Sequence, residues 1–401
     1  MRTVEEHLDA VLALAKPLPA VRVPVGADPD AVLAEAVIAR LPVPPFDNSA
    51  MDGFAVRADD VAAAPCVVDV AGDIPAGTAA STPLAPGQAM RIMTGAPMPA
   101  GADAVVPVED TDQPPGDSPL PRRVEVRTAP VPGRHIRRRG EDVGVGDVVL
   151  SEGARATSAA AAAAASVGLG EWLVTTRPRV LVVATGSELV APGEPLGPGQ
   201  IPDSNSLLLA GLVRQFGGRV ADVVRVGDAT EDFLQALAGA DADLIVTTGG
   251  VSAGAFEVVR QATAGDVEFV KVAMQPGKPQ GVGHWEVRGA KVPLLALPGN
   301  PVSVFVSAWL FVRPLIARLA GRPVGLPTRR ANVVEGWTTP PNRRQYVPVT
   351  TTPDGIRPAH RLGSGSHAVA SLHLADALAV VPEDVGQIRP GDVLEVFDTN
   401  A

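Results

Sequence analysis

RVLVVATGSEL (residues 179–189), SNSLLLAGLVRQFGG (204–218) and RVADVVRVGD (219–228) carry the reading that decides the fold. The first is a buried apolar run that breaks at Thr-Gly-Ser, the second a helix pattern closed by glycines, the third another β-branched run. TEDFLQALAGA (230–240) then reads as a helix and DLIVTTGGVSAG (243–254) as a strand and loop. FEVVRQATAG (256–265), VEFVKVAMQPGKPQ (267–280), VPLLALPGNP (292–301) and VSVFVSAWLFVRPLIARLAG (302–321) continue the same way. A half-solvated strand alternates apolar and polar residues, whereas these strands are apolar throughout. They are therefore expected in an α/β domain whose parallel sheet is covered on both faces.

Working outward, the texture changes on both sides. VVDVAG (67–72), QAMRIMTG (88–95), ADAVVPVED (102–110) and RRVEVRTA (122–129) are short Val-rich runs separated by Gly and Pro, an all-β pattern. Residues 1–45 read as one or two helices and a short strand, with Pro42, Pro44 and Pro45 marking the exit. The run Ala159–Ala165 reads as a closely packed helix that stops at Gly168 or Gly170. From about 325 onward, short strands and turns return and suggest a small β domain. There is no internal repeat.

Composition narrows the class. A chain of 401 residues exceeds what one core normally serves, so several domains are expected. With 46% hydrophobic and 19% charged residues it is globular rather than disordered. A net charge of −10 argues against a general nucleic-acid binder. One cysteine, Cys66, excludes an intrachain disulfide framework and any multi-cysteine zinc site, and it reads as buried and inert. Glu5, Glu6 and Asp9 stand where a signal peptide would want positive charge. No stretch reaches the roughly 20 apolar residues of a membrane span. A soluble, cytoplasmic protein without membrane contact is the expectation.

In open α/β sheets, ligands bind beyond the carboxyl ends of the strands. Four loops here follow strand patterns: Thr185-Gly186-Ser187-Glu188, Thr247-Thr248-Gly249-Gly250-Val251-Ser252, Gln275-Pro276-Gly277-Lys278-Pro279 and Pro298-Gly299-Asn300-Pro301-Val302-Ser303. Their glycines admit close backbone approach, Lys278 adds a cation, and Ser187, Ser252 and Ser303 add hydroxyls. A single such loop need only turn the chain, but four with a lysine suggest an oxyanion pocket. Glu188, Asp228 and Glu257 at loop ends are either caps and surface charges or hard oxygen ligands suited to Mg²⁺ beside bound phosphates. Asp203, before Ser204-Asn205, reads as a helix cap. GxxxxGK[ST], HExxH and GxSxG are all absent. In the β region, Asp47–Ala55, Arg91–Pro97 and Arg137–Asp142 are unlike generic surface. The three arginines 137–139 suit a solvated face, an anionic small ligand or a partner subunit.

In order along the chain, DNSAMDGFA (47–55), RIMTGAPMPAGADAVVPVE (91–109), IRRRGED (136–142), ATGSEL (184–189), TTGGVSAG (247–254), QPGKPQG (275–281) and LPGNPVS (297–303) resemble the molybdopterin molybdenumtransferases, the MoeA-like proteins to which gephyrin's E domain is related. The resemblance implies a homodimer of four-domain subunits. A mixed linker domain would span 1–45 and 140–177, and an inserted β domain 46–139. A molybdopterin-binding α/β domain would span 178–324, and a C-terminal β-barrel-like domain 325–401. It further implies the reaction of adenylylated molybdopterin with molybdate, giving molybdenum cofactor and AMP with Mg²⁺. Transient contacts with a molybdopterin adenylyltransferase and with apo-molybdoenzymes would follow. Asp52, Thr94 and Asp142 would serve catalysis from the β-domain side, acting on the partner's α/β domain. Glu188, Asp228 and Glu257 would face phosphates and metal, with Glu188 also catalytic. Gly186, Ser187, Gly249, Gly250, Ser252, Lys278, Pro279, Pro298, Gly299, Asn300, Pro301 and Ser303 would hold substrate. Arg343-Arg344 and Ser364 or Ser366 would close the pocket. The chain departs from the family pattern at Gln275, where some relatives carry lysine, and at Glu257 and Phe54, where aspartate and tyrosine are frequent. An adenylyltransferase and a non-catalytic cofactor scaffold are the alternative functions.

Overall fold

The structure is a computed structural model that describes residues 1–78, 82–116, 118–251, 258–340, 342–360 and 365–400. They form two compact units: 1–21, 30–32 and 174–401 in one, 22–29 and 33–173 in the other.

The first unit contains the expected α/β sheet. Its strands are β1 (Arg179–Thr185), β2 (Arg219–Val226), β3 (Leu244–Thr248), β4 (Val267–Lys271), β5 (Pro279–Val287) and β6 (Ala290–Leu297), in spatial order β2-β1-β3-β6-β5-β4. The first four in that order are parallel, while β6, β5 and β4 pair antiparallel. The α/β class therefore stands, but the regular alternation does not run through 267–297. The reason is local: Arg288 and Gly289 both take positive φ, 51° and 80°, and a two-residue turn of that hand folds β5 back onto β6 with no crossover helix.

Successive residues of each central strand serve opposite faces. Val180, Val182, Leu244, Val246, Leu295 and Leu297 pack with Leu209, Val213, Trp309 and Phe311. Leu181, Val183, Ile245, Leu294 and Ala296 pack with Phe233 and Leu237 on the other face. This is why the strands carry no polar alternation. The helices supplying those faces are α1 (Asn205–Gln215), α2 (Thr230–Ala238), α3 (Val258–Ala262) and a continuous helix Pro301–Leu319. That last helix is 19 residues long and apolar enough to cross a bilayer by length and composition. It is 89% buried within the fold, which marks it as a core helix. A π-helical turn at Ala308–Val312 interrupts it.

The amino-terminal helix Val4–Ala13 also belongs to this unit. Thr3 Oγ1 accepts the Glu6 N–H at 3.1 Å and Glu6 Oε2 accepts the Thr3 N–H at 2.8 Å, a reciprocal cap. Its buried face is Val4, His7 and Val11. His7 is 1% exposed and lies edge-on to Phe311, ring centroids 4.7 Å apart. Burial, with Arg2 adding to it against the opposing pull of Glu268, lowers its pKa to about 4. The folded chain thus refuses a proton that the unfolded chain accepts near pH 6.5. Stability is unaffected above that value, falls as pH drops through the interval, and levels off below pH 4. The loss is about 3 kcal/mol at most. In His7→Leu, the fall in urea midpoint between pH 7 and pH 4.5 is expected to shrink. An unchanged fall would place the acid sensitivity elsewhere.

The carboxyl-terminal strands Arg329–Asn332, Arg344–Thr352, Gly355–Pro358, Ala377–Val381 and Val393–Asp398 form one antiparallel sheet. A bridge between Val333 and Ile356 brings its two ends together, so the sheet is barrel-like around Val347, Val349, Ile356, Ala379 and Val396. Met274–Gln275, just before the Lys278 loop, pairs parallel with Arg344–Gln345 of this sheet.

The second unit holds the expected β domain, a five-stranded sheet in order Ala104–Pro107, Gly53–Val56, Gln88–Ile92, Cys66–Ile74, Arg123–Val126. Cys66 opens its strand and is only half-buried, a correction to the fully buried reading. The alanine helix spans Ser158–Ser166 and buries Ala160 and Ala164, four residues apart on one side. It ends at Gly168 as expected, with the Leu169 N–H donating to the Ala164 carbonyl at 3.0 Å. Residues 1–45 contain one helix and short strands.

Candidate functional site

At the carboxyl ends of β1, β3 and β6 the first unit opens a cleft of about 1340 Å³. Strand β1 delivers Gly186 and Glu188, and β2 delivers Asp228. Strand β3 delivers Gly249 and Gly250; the turn before β5 delivers Lys278 and Pro279; β6 delivers Pro298, Gly299, Asn300, Pro301 and Ser303. The opposite wall is Thr338, Pro340, Arg343, Ser366 and His367 from the barrel-like sheet and its connections. All four loops therefore meet in one space. Ser187 does not line it: its Oγ accepts the Asp228 N–H at 3.2 Å and its own N–H donates to Asp228 Oδ2 at 3.3 Å. It positions the Asp228 loop instead. Ser252, Glu257 and Ser364 lie outside the described residues.

The floor is built from the main chain. Gly249 has φ +90°, and a Cβ there would stand 2.5 Å from the Thr185 carbonyl oxygen. Asn205, at the start of α1, donates from Nδ2 to the Gly299 carbonyl at 2.7 Å and to Thr248 Oγ1 at 3.2 Å. Thr248 Oγ1 donates in turn to the Pro298 carbonyl at 3.2 Å. Asn300 Nδ2 donates to Ser366 Oγ at 3.1 Å, tying the β6 loop to the opposite wall. The residues around Lys278 are held from below: buried Gln280 donates to the Gly277 carbonyl and to Ser307 Oγ, both at 2.7 Å.

Sequence reasoning did not single out Asn205 for the site, and it gave Thr248 only as part of a candidate loop. Asp203 is the expected cap, accepting the Ser206 N–H at 3.0 Å, and it also lines the cleft.

The electrostatics of the cleft are mixed. Lys278 is half-buried, and among the described residues its ammonium makes no hydrogen bond or ion pair. Arg343 donates from Nη1 to Gln275 Oε1 at 3.2 Å and, among the described residues, pairs with no carboxylate. Glu188 and Asp228 are exposed carboxylates. Two unneutralised cations suit an oxyanion. Two exposed carboxylates beside it suit Mg²⁺, which takes one or two protein carboxylates and completes its shell with phosphate oxygens and water. Among the described residues no group of three or more His, Cys, Asp or Glu forms a preassembled metal cage.

The second unit carries the other candidates. Asp52 Oδ1 accepts both the Thr94 N–H at 2.6 Å and the Thr94 hydroxyl at 2.9 Å. This links two residues that are 42 positions apart in sequence. Asp142 is exposed, its N–H donating to the Val43 carbonyl at 2.9 Å. Arg138 pairs with Asp47 at 2.7 Å, and the Arg139 N–H donates to the same carboxylate at 2.8 Å. Those two contacts, the Arg139 N–H first, hold Asp47 below the usual carboxylate range.

Three family models match the chain: the MoeA N-terminal region, domains I and II, over residues 2–168; a probable molybdopterin binding domain over 181–318; and the MoeA C-terminal region, domain IV, over 330–398. Molybdopterin molybdenumtransferase 2 of Mycobacterium tuberculosis is 45% identical over 99% of this chain and 100% of its own length. The molybdopterin molybdenumtransferase of Haemophilus influenzae is 38% identical over 92% of this chain and 91% of its own. A crystal structure of a molybdopterin biosynthesis MoeA protein from Pyrococcus horikoshii superposes with a TM-score of 0.80 at 30% identity, covering 99% of this chain and 98% of that one.

Proposed function

The chain belongs to the MoeA-like family of molybdopterin molybdenumtransferases, and from that premise we propose that it joins molybdate to adenylylated molybdopterin, with Mg²⁺, and releases AMP. Molybdenum insertion in cofactor biosynthesis is the family's reaction; the adenylylated substrate is what the family resemblance implies, and the cleft's exposed carboxylates support the metal. The observation that carries it is one cleft that holds two cations, Lys278 and Arg343, with no carboxylate partner among the described residues, together with the Glu188 and Asp228 carboxylates.

Molybdate and the adenylylated pterin are both anions and repel. Lys278, Arg343, the Ser303 hydroxyl and main-chain N–H groups hold the oxyanion against that repulsion, which makes positioning and electrostatics the main catalytic resources. Bound Mg²⁺ would polarise the phosphoanhydride, with Glu188 and Asp228 as its protein ligands. No nucleophilic side chain is required. Asp52, Thr94 and Asp142 then act in the partner's cleft within a homodimer. In the cytoplasm, a molybdopterin adenylyltransferase supplies the substrate and apo-molybdoenzymes take the product.

AMP release from adenylylated molybdopterin, measured with Mg²⁺ and with or without molybdate, tests the reaction. Molybdate-dependent release, yielding cofactor that reconstitutes an apo-molybdoenzyme, is expected. Release independent of molybdate would overturn the reading. Glu188→Gln should raise the Mg²⁺ concentration needed for half-maximal rate. For the cross-subunit role, inactive Asp52→Asn and Lys278→Ala chains are mixed. Random reassortment leaves one intact site in half the dimers, hence about a quarter of wild-type activity. No recovery would place Asp52 outside a shared site.

A further inference from the structure

We propose that Gln275 is a positioning residue for the oxyanion: it aims the Arg343 guanidinium into the cleft while leaving its charge uncancelled. This rests on the reading of the cleft as a molybdate site. Met274–Gln275 and Arg344–Gln345 are paired parallel strands, with Met274 opposite Arg344 and Gln275 opposite Gln345, so Arg343 stands just before the paired strand, two positions from the partner of Gln275 and a diagonal neighbour of it. The contact between them is Arg343 Nη1 to Gln275 Oε1 at 3.2 Å, and both residues line the cleft. A guanidinium has five N–H donors, and this contact uses one.

Other arginines of the same unit show what neutralisation looks like. Arg344, the next residue, pairs with Glu5 and, at 3.2 Å, with Glu383. Arg179 pairs with Asp241 at 2.5 Å and Asp243 at 3.0 Å. Arg343 alone of these three is held by a neutral amide. Among the described residues, the other charged or titratable groups lining the cleft are Lys278, Glu188, Asp203, Asp228 and His367. Asp203 is occupied in capping α1 and lies 3.8 Å from Arg225. An amide oxygen thus supplies the direction of a hydrogen bond without the countercharge that a carboxylate would bring.

Two near-isosteric variants separate charge from support. Gln275→Glu keeps the acceptor but neutralises Arg343; Gln275→Met keeps the bulk but removes the acceptor. Binding of molybdate alone is measured by calorimetry, and the KM for molybdate by AMP release, after thermal unfolding has confirmed both variants folded. The expected result is roughly tenfold weaker molybdate binding and a matching rise in KM for Gln275→Glu, with kcat nearly unchanged and the gap narrowing at high salt. For Gln275→Met the loss is about two- to threefold. The reverse order, with Glu equal to wild type and Met worse, would leave Gln275 a merely structural support and overturn the proposal. Wild-type protein that neither binds molybdate nor depends on it for turnover would instead sink the cleft reading itself, so the two failures are distinguishable.

Discussion

Lys278→Gln is expected to lower kcat/KM for molybdate-dependent AMP release by roughly two to three orders of magnitude, with no change in unfolding midpoint. The lysine is half-buried in the cleft and, among the described residues, its ammonium has no partner inside the fold. Removing it breaks no hydrogen bond or ion pair among the described residues, which separates the effect on activity from any effect on stability. The backbone that presents it is fixed independently by Gln280 at the Gly277 carbonyl, so the variant loop should keep its shape. Lys278→Arg should restore only part of the rate, since a planar guanidinium reaches further and donates in a fixed fork. Calorimetric titration with molybdate reads the ground-state share of the loss. Unchanged activity in Lys278→Gln would move oxyanion recognition to Arg343 and the main-chain N–H groups.

Much of this was legible in the sequence because strands buried on both faces leave a one-sided signature. Residues such as Leu181 and Val182 go to opposite cores, so neither position tolerates a polar side chain. The loops after them were legible for a related reason. Their glycines are demanded by crowding between strand ends, and such demands fall on single positions that stand out in a string of letters. Asp52, Thr94 and Asp142 drew attention as unusual composition. The hydrogen bonds joining Asp52 to Thr94, however, depend on two strands meeting, which spacing alone does not encode.

What escaped the sequence did so for identifiable reasons. The reversal after β5 uses Arg288 at a positive φ, where Asn, Asp or Gly would have announced a tight hairpin turn. Without that signal, residues 281–287 draw no strand reading, and β4 and β6 read as two more parallel strands. Asn205 looked like part of a helix start, because its bonds to Thr248 and Gly299 reach 43 and 94 residues along the chain. The second wall of the cleft comes from the barrel-like sheet, and Arg343 was identified only through family resemblance. Its tie to Gln275 follows from a strand pairing between subdomains, which no local pattern carries.

Gly249→Ala is the substitution that should damage fold and function together. Its φ of +90° is strained for any L side chain, and the added Cβ would meet the Thr185 carbonyl oxygen at 2.5 Å and Thr185 Oγ1 at 2.9 Å. A clash with main chain cannot be relieved by changing a rotamer, so either β1 or the β3 loop must move. The neighbouring strand end would feel it too, since a Cβ at Gly299 already has the Gly249 Cα 3.4 Å away. The expected cost is about 2–4 kcal/mol in urea unfolding, together with a loss of activity of more than about a hundredfold as the floor shifts. Gly265→Ala is the control: its φ is +96°, but a Cβ there has nothing within 4 Å. It carries the same backbone strain without the crowding and should cost about 1 kcal/mol with activity retained. If Gly249→Ala proves as mild as Gly265→Ala, the strand ends have room to adjust. The geometry of the cleft would then be set by side-chain ties such as Asn205 to Gly299 rather than by main-chain packing between β1, β3 and β6.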